Sequence, residues 1–251
     1  MIGREYRLLL LDLDGTLLTK DERITPRVAD AVRSVSALVH TSIATGRERH
    51  DVLRFAGELG LSAPQISDNG AMIIEPSDGR CLWSAPLPAG TTVELLDRLD
   101  RPGMEFIATD DAETVTSAAE AEGRSLNRVS ALDLSERAAD ELVVEYAAVA
   151  VLDAVKVFLP YNGRWAVDFT AVGINKAVAA RKLAGLVGVG TDQMIAAGDG
   201  YNDVPLLSAS SLRIAMGDSP EELKSLADFV APTAEEDGLA VAIEEFVLPR
   251  L

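Results

Sequence analysis

The segment RLLLLDLDGTLL, residues 7–18, places four consecutive leucines directly before two aspartates and a glycine. An apolar run that ends at Asp-Gly predicts a core strand of a parallel sheet whose carboxyl end opens into a loop. Asp12 and Asp14 would lie at that end, which is where open α/β sheets bind their ligands. A purely structural interpretation is also open, because Asp14-Gly15 is a common turn pair and Asp12 could cap a neighbouring element. Burying unpaired carboxylates is costly, so the fold must supply these residues with partners.

The first part of the chain alternates predicted strands and helices. Thr25-Pro26 is a helix start signal, and an amphipathic helix is predicted over 27–38. A second strand is predicted over 39–47, followed by a helix that Gly60 closes. This order of elements predicts a parallel sheet with right-handed crossovers.

The same alternation resumes after Gly173. The predicted elements are a helix over 175–186, strands over 193–199, 211–216 and 228–231, helices between these strands, and a last helix that ends near Phe246. Together the two parts predict an α/β fold with a doubly wound, Rossmann-like parallel-sheet core.

The middle of the chain has a different pattern. A helix is predicted over 112–122, and strands are predicted over 104–109, 142–150, 154–160 and 164–169. Because these elements are clustered rather than alternating, they predict an inserted α+β unit with an antiparallel sheet. The predicted domains are therefore a core of residues 1–80 and 166–251 and an inserted unit of residues 81–165.

The composition narrows the classes of partner and compartment. The chain has 23 basic and 40 acidic residues, and its net charge of −17 argues against a nucleic-acid surface or an anionic-membrane surface. Cys81 is the only cysteine, which excludes an internal disulfide and is typical of a reducing cytoplasm. The amino-terminal apolar run is too short for a signal peptide or a membrane span. We expect a cytoplasmic monomer or homodimer.

Four predicted loops carry the polar chemistry. They are DLDGT (12–16), ATGR (44–47), INK (174–176) and GDGYND (198–203). The loops offer a carboxylate nucleophile, oxygen ligands for a hard cation, hydroxyl and amide donors, and one amine. That inventory is suited to phosphoryl transfer.

Electrostatics require these groups to act together. A phosphate monoester is close to a dianion at neutral pH, and each like charge about 4 Å from an aspartate costs about 4 kcal/mol at an effective dielectric of about 20. A magnesium ion held by Asp12 and Asp199, with Lys176 on the other side, would reverse the local field. Asp203 could hold a metal-bound water in place.

Several of these residues also have a purely structural interpretation. Thr45 could be an ordinary N-cap, Lys176 a solvated helix lysine, and Asp199-Gly200 a turn. Lysine is scarce, however, since only five of the 23 basic residues are lysines, which favours a specific task for Lys176. Spacing alone leaves open which of Asp12 and Asp14 is the nucleophile.

In this order, DLDGTL, ATGR, GINK and GDGYND resemble the four motifs of the haloacid dehalogenase superfamily of phosphohydrolases. The segments ISDNGA (66–71) and 215–240 resemble its Cof-type, or IIB, branch. The resemblance implies that Asp12 forms an aspartyl-phosphate, while Asp14 acts as general acid and base and binds magnesium through its backbone carbonyl. It also implies that the inserted unit is a cap that closes over the site.

The resemblance and the loop chemistry together give a set of site residues. Phosphate binding is assigned to Thr45, Gly46, Arg47, Lys176 and Asn202, and magnesium binding to Asp12, Asp14, Asp199 and Asp203. In the cap, Glu105, Tyr146, Lys156 and Arg164 are candidate substrate contacts, but each fits at least as well as an ordinary surface or core residue.

The expected activity is magnesium-dependent hydrolysis of a small phosphate monoester, such as a sugar phosphate or a phosphoglycolate-like acid. Two alternatives stay open: a phosphomutase, and a non-catalytic regulator in which Asp12 only accepts a phosphoryl group.

Overall fold

A computed structural model describes residues 5–159 and 162–251. The strands are β1 (Leu8–Leu11), β2 (His40–Ile43), β3 (Gln65–Ser67), β4 (Met72–Ile74), β5 (Cys81–Ser84), β6 (Glu105–Thr109), β7 (Thr114–Val115), β8 (Arg128–Leu134), β9 (Leu152–Leu159), β10 (Arg164–Ala171), β11 (Met194–Gly198), β12 (Leu212–Ala215) and β13 (Phe229–Val230). The α-helices are α1 (Pro26–Ser36), α2 (Arg49–Leu59), α3 (Ala89–Leu99), α4 (Ala118–Ala121), α5 (Glu136–Tyr146), α6 (Lys176–Leu186), α7 (Val204–Ser208), α8 (Glu221–Leu226) and α9 (Gly238–Val241).

Five parallel strands form the core sheet, in the order β13-β12-β11-β1-β2. The leucines of β1 alternate between its two faces. Leu9 and Leu11 pack with α1 and α2, whereas Leu8 and Leu10 pack with α6, α7 and α8. Because both faces are covered by helices, β1 is a near-continuous apolar run, as the sequence predicted. The predicted doubly wound α/β fold is confirmed.

Five antiparallel strands form the cap sheet, in the order β7-β6-β8-β10-β9. Its strands alternate in side-chain direction, and one face packs through Phe106, Val129, Val167 and Phe169 into a core shared with α3 and α5. The opposite face is directed toward the carboxyl ends of β1 and β2 and lines a cavity there.

The sheet pairings do not follow the predicted domain boundaries. Residues Cys81–Ser84 form β5, which pairs with β4 in a separate three-stranded sheet, β3-β4-β5. Strand β10 begins at Arg164 but continues in the cap sheet to Ala171. Strand pairing thus favours boundaries after residues 84 and 171 rather than after 80 and 165. The division into a core and a cap stays a proposal.

Two predicted elements of the cap are wrong. Most of the predicted strand 142–150 belongs to helix α5, because Ser135 caps that helix and its buried residues Ala139, Leu142 and Tyr146 follow a helical period. The predicted helix 112–122 is divided into the short strand β7 and the one-turn helix α4. Pro160, the last residue of the predicted strand 154–160, lies outside the described residues.

Several helix ends follow the predicted signals. The Thr25 side chain accepts a hydrogen bond from the Val28 amide at the start of α1, and Gly60 ends α2 in the left-handed conformation. Asn175 caps α6 and thereby makes Lys176 its first residue. Within the described part of the chain, no helix has the length and apolarity needed to cross a bilayer.

Candidate active site

Polar residues meet at the carboxyl edge of the core sheet. Asp12 follows β1, Thr45 follows β2, and Asp199 follows β11, while Lys176 enters from the start of α6. The three strands are neighbours in the sheet, so their ends lie side by side. A cavity of about 430 Å³ lies between these loops and the cap sheet and is lined by Asp12, Thr45 and Asp199.

Lys176 is the buried centre of the site. Its Nζ atom donates hydrogen bonds to Asp12 Oδ1 and Asp203 Oδ1, at 2.6 Å each. The lysine side chain is fully buried. Burial by itself favours the neutral amine, but the charges of Asp12 and Asp203 outweigh it and raise the pKa of Lys176. Lys176 is therefore a permanent cation beside Asp12, and the interpretation as a solvated helix lysine is excluded.

Asp203 fixes the loop that carries Asp199. Its Oδ2 atom accepts hydrogen bonds from the backbone amides of Asp199 and Gly200, at 3.0 Å each. A Cβ atom at Gly198 would lie 2.5 Å from Asp203 Cγ, so only glycine leaves room for this contact. Since both carboxylate oxygens of Asp203 accept hydrogen bonds, this residue positions Lys176 and the loop.

Three carboxylates form an acidic cluster. Asp12, Asp199 and Asp203 each offer one oxygen, and these atoms lie within 4.8 Å of one another. Burial, followed by the charge of Asp203, raises the pKa of Asp12 to about 7. Burial and the neighbouring aspartates also raise the pKa of Asp199 well above its ordinary value. The cluster has more negative charge than Lys176 neutralises, so its oxygen ligands fit a hard divalent cation.

Gly15 makes the approach of Asp199 possible. Its φ of +70° lies in the left-handed region, and a Cβ atom there would be 2.2 Å from Asp199 Oδ2. The Asp14-Gly15 turn is therefore real, but its glycine also allows two distant loops to meet. The Asp14-Gly15 pair therefore fits both interpretations, since it forms a turn and also lets the Asp199 loop approach.

The Asp14 side chain pairs with Arg47 and is not one of the three carboxylates of the acidic cluster. Its Oδ2 and Oδ1 atoms accept hydrogen bonds from Nε and Nη2 of Arg47, at 2.9 and 2.6 Å. Arg47 also pairs with Glu22 and Asp51. The guanidinium of Arg47 thus directs the Asp14 carboxylate, and its predicted contact with phosphate stays a prediction. So does the predicted contact between magnesium and the backbone carbonyl of Asp14.

Thr45 and Gly46 lie in a bend and not at a helix start. Helix α2 begins at Arg49 with Glu48 as its N-cap residue, so Thr45 is not the N-cap. The Thr45 hydroxyl is buried and accepts a hydrogen bond from the Arg47 amide at 3.1 Å. Thr45, Gly46 and Asn202 all line the cavity, and their predicted contacts with phosphate stay predictions.

The ISDNGA segment packs against the first turn of α6, where Lys176 lies. Gly70 has a φ of +95°, and a Cβ atom there would lie 2.3 Å from the Asn175 carbonyl oxygen and 2.7 Å from the Lys176 amide nitrogen. Only glycine permits this close approach to the first turn of α6. The segment therefore helps to set the position of the Lys176 side chain.

On the cap side, only one of four predicted contacts lines the cavity. Lys156 does, with its ammonium 4.2 Å from the Trp165 ring centroid. Glu105, Tyr146 and Arg164 are not among the lining residues; Tyr146 instead packs on Phe169 in the core of the cap. Most cap residues that do line the cavity were not predicted from the sequence: Ile107, Arg128, Leu132, Val157, Phe158, Leu159, Trp165, Ala166 and Asp168. The alternation of Arg128 and Ser130 with Val129 and Ala131 is the one sequence signal that could have indicated a polar face.

The chain is similar to known proteins in sequence and in fold. Residues 9–143 and 153–243 match the profile of a family described as haloacid dehalogenase-like hydrolase. A Bacillus subtilis protein named 5-amino-6-(5-phospho-D-ribitylamino)uracil phosphatase is 26% identical over 95% of this chain and 97% of its own length. A phosphoglycolate phosphatase from Natronomonas pharaonis is 27% identical over 94% of this chain and 96% of its own length. Among solved structures, a HAD subclass IIB sugar phosphatase has a TM-score of 0.82 at 20% identity, over 96% of this chain and 99% of that chain, which is a likeness of fold.

Proposed function

The chain belongs to the haloacid dehalogenase-like hydrolase family, and we propose that it is a magnesium-dependent phosphatase that hydrolyses a small phosphate monoester through an aspartyl-phosphate. One observation carries the proposal: a fully buried lysine contacts Asp12 beside an acidic cluster at the floor of a cavity. That arrangement supports a role for Asp12 as nucleophile, with an amine and cation ligands beside it.

In the proposed first step, Asp12 attacks phosphorus. Its Oδ1 atom is engaged by Lys176, so Oδ2 is the oxygen that would form the new bond. The bond between phosphorus and the alcohol oxygen breaks as the new bond forms. The charge of Lys176 favours the ionised carboxylate, which opposes the burial that raises the pKa of Asp12 to about 7.

Asp14 would move the protons in both steps. It donates a proton to the departing alcohol oxygen and then accepts one from the water that attacks phosphorus. The second attack breaks the bond to Asp12 and releases inorganic phosphate. Arg47 holds the Asp14 carboxylate through two hydrogen bonds and so sets its direction.

Asp12 and Asp199, with the Asp14 backbone carbonyl, would hold the magnesium ion. When bound, the ion supplies positive charge that offsets the phosphate oxygens. Asp203 contributes by its hydrogen bonds to Lys176 and to the amides of the Asp199 loop. The phosphoryl group would be held by Thr45, Gly46, Lys176 and Asn202.

The proposed substrate is a sugar phosphate or a phosphoglycolate-like acid. Two full-length relatives support a small phosphate ester, since one is named for a phosphoribitylamino compound and the other for phosphoglycolate. The acidic composition supports a protein without a nucleic-acid partner. We propose that it acts in the cytoplasm as a monomer or homodimer.

The test is phosphate release from p-nitrophenyl phosphate and a panel of phosphorylated metabolites, with magnesium and with a chelator. We expect turnover only with the metal. Asp12→Asn should abolish it, whereas Asp97→Asn should not, because Asp97 is exposed on the cap helix α3. Acid-quenched wild-type enzyme should carry a phosphoryl group that is absent from Asp12→Asn.

The alternatives give other results. An isomeric sugar phosphate as product, without free phosphate, would indicate a mutase. A single labelling of Asp12 without turnover of any ester would indicate a regulator. Equal activity of Asp12→Asn and wild type would overturn the proposed nucleophile.

A further inference from the structure

A charged network lies on the cavity face of the cap sheet. Arg128 and Ser130 of β8 and Asp168 of β10 share that face, and Ser130 pairs with Asp168 in the strand register. Arg128 is 4% exposed and Asp168 is 3% exposed, and both line the cavity. Charged residues are rarely buried this deeply unless they are paired, so Arg128 and Asp168 are expected to have charged partners.

The network joins the cap to the core. Arg128 Nε donates to Asp68 Oδ1 at 3.0 Å, and Arg128 Nη1 donates to Asp168 Oδ1 at 3.2 Å. Asp68, which follows β3, also accepts a hydrogen bond from the Thr109 hydroxyl of the cap at 2.9 Å. One guanidinium therefore compensates two buried carboxylates, and the group has a net negative charge.

Two polar atoms of the network are unused. Arg128 Nη2 is buried and makes no hydrogen bond within the described residues. Asp168 Oδ2 likewise accepts none from the described part of the chain, and it would lie 3.5 Å from a Cβ atom built on Gly46. Since Gly46 belongs to the proposed phosphate loop, Asp168 Oδ2 lies close to where the leaving group would begin. A buried donor without a partner is explained if a ligand supplies the acceptor.

The other basic side chains that line the cavity also have carboxylate partners. Arg47 pairs with Asp14, Glu22 and Asp51. Lys156 pairs with Glu136 and Asp140. Among the described lining residues, each basic side chain therefore already has at least two carboxylate partners.

We propose that Arg128 and Asp168 are specificity-determining residues that select an uncharged, hydroxylated leaving group. A hydroxyl accepts a hydrogen bond from Arg128 Nη2, and it or its neighbour donates one to Asp168 Oδ2. A carboxylate can accept the hydrogen bond from Arg128 Nη2 but cannot donate one to Asp168 Oδ2. The net negative charge of the network also repels it. This inference rests on the proposed phosphatase function and selects polyol or sugar phosphates over phosphoglycolate-like acids.

The test compares substrates that differ in one group. One pair is glycerol phosphate, with the phosphate on a primary carbon, and the phosphoglycerate that has a carboxylate in place of the free primary alcohol. The second pair is ribitol phosphate and the corresponding ribonate phosphate. We expect kcat/KM to favour the alcohol of each pair by at least about tenfold, the size expected for one added like charge near the network.

Asp168→Asn separates specificity from folding. It keeps the shape of the side chain and removes one charge, so the preference for the alcohol should fall by at least about threefold, through faster turnover of the carboxylate ester. Ratios within each enzyme are compared, which cancels any general loss of activity. Asp133→Asn is the matched control: it removes the same charge from β8, but Asp133 does not line the cavity.

The possible failures are distinct. If p-nitrophenyl phosphate is hydrolysed but the carboxylate esters are equal or preferred, the selection rule is wrong while the phosphatase proposal stands. An unchanged ratio in Asp168→Asn, or the same change in Asp133→Asn, would also overturn it. If no ester is hydrolysed with magnesium, the phosphatase proposal fails and this inference fails with it.

Discussion

Replacing Lys176 with methionine tests the electrostatic reasoning about the site. Each contact of its Nζ atom, at 2.6 Å from Asp12 and from Asp203, corresponds to about 6 kcal/mol of attraction at an effective dielectric of about 20. Desolvation offsets much of this attraction, and removing one partner of a buried ion pair typically costs about 3–5 kcal/mol. For a chain of this size we expect the melting temperature to fall by about 6–20 °C.

The loss should depend on pH. The pKa of Asp12 in the folded protein, about 7, lies above its ordinary value of 3.8. Proton uptake by Asp12 therefore stabilises the metal-free fold as pH falls, and this contribution is lost as pH rises through about 7. At about pH 8 the wild-type Asp12 carboxylate is mostly ionised and is paired with Lys176, and Lys176→Met removes that pairing. At about pH 5, Asp12 is protonated in either protein, so the loss should shrink to roughly half.

The assay is chemical denaturation with a chelator at both pH values. Lys182→Met is the matched control, because Lys182 is an exposed lysine of the same helix with a 5.9 Å contact to the Trp83 ring. Its substitution should cost less than about 1 kcal/mol at either pH. A loss below about 1 kcal/mol for Lys176→Met at about pH 8, or an equal loss at both pH values, would contradict the proposed strength of the ion pairs between Lys176 and the two aspartates.

Three further outcomes follow from the site. Gly15→Ala should lower magnesium-dependent turnover at least about hundredfold, because its Cβ would lie 2.2 Å from Asp199 Oδ2; steady-state kinetics that match wild type would contradict this. Magnesium affinity, measured by calorimetry, should weaken by about tenfold per pH unit below about 7, since protons then compete for Asp12; a pH-independent affinity would exclude it. Arg47→Met should reduce kcat at least about tenfold but leave magnesium affinity within about threefold, because Arg47 contacts Asp14 and not the acidic cluster; a parallel loss of both would show that it supports the metal site.

The family of the protein could be predicted from its loops. Membership of the Cof-type branch of the haloacid dehalogenase superfamily and the class of phosphoric monoester hydrolase are confirmed. The prediction succeeded because each motif lies in a loop after a short apolar strand or at a capped helix start. In a parallel sheet such loops must converge, whatever the details of packing.

The inserted cap was harder to predict. The valines of LVVEYAAVA suggested a strand, but tertiary packing placed Val143 and Val144 on α5, where Val143 is half-buried and Val144 is exposed. Strand preference is weak and is overridden when helical spacing places other residues in a core. In the cap, local signals were therefore a poor guide to element type.

The parallel core, the converging loops and the residue types available for phosphoryl transfer could be predicted from the amino-acid sequence, because periodicity and turn chemistry are local properties. The pairing of the charges depends on the folded chain. The tertiary structure directed Asp14 to Arg47, enclosed Lys176 between Asp12 and Asp203, and brought Arg128 of the cap between Asp68 and Asp168. These residues are tens of positions apart, and the free energy of a buried charge depends on its partners in space, which no local pattern in the chain encodes.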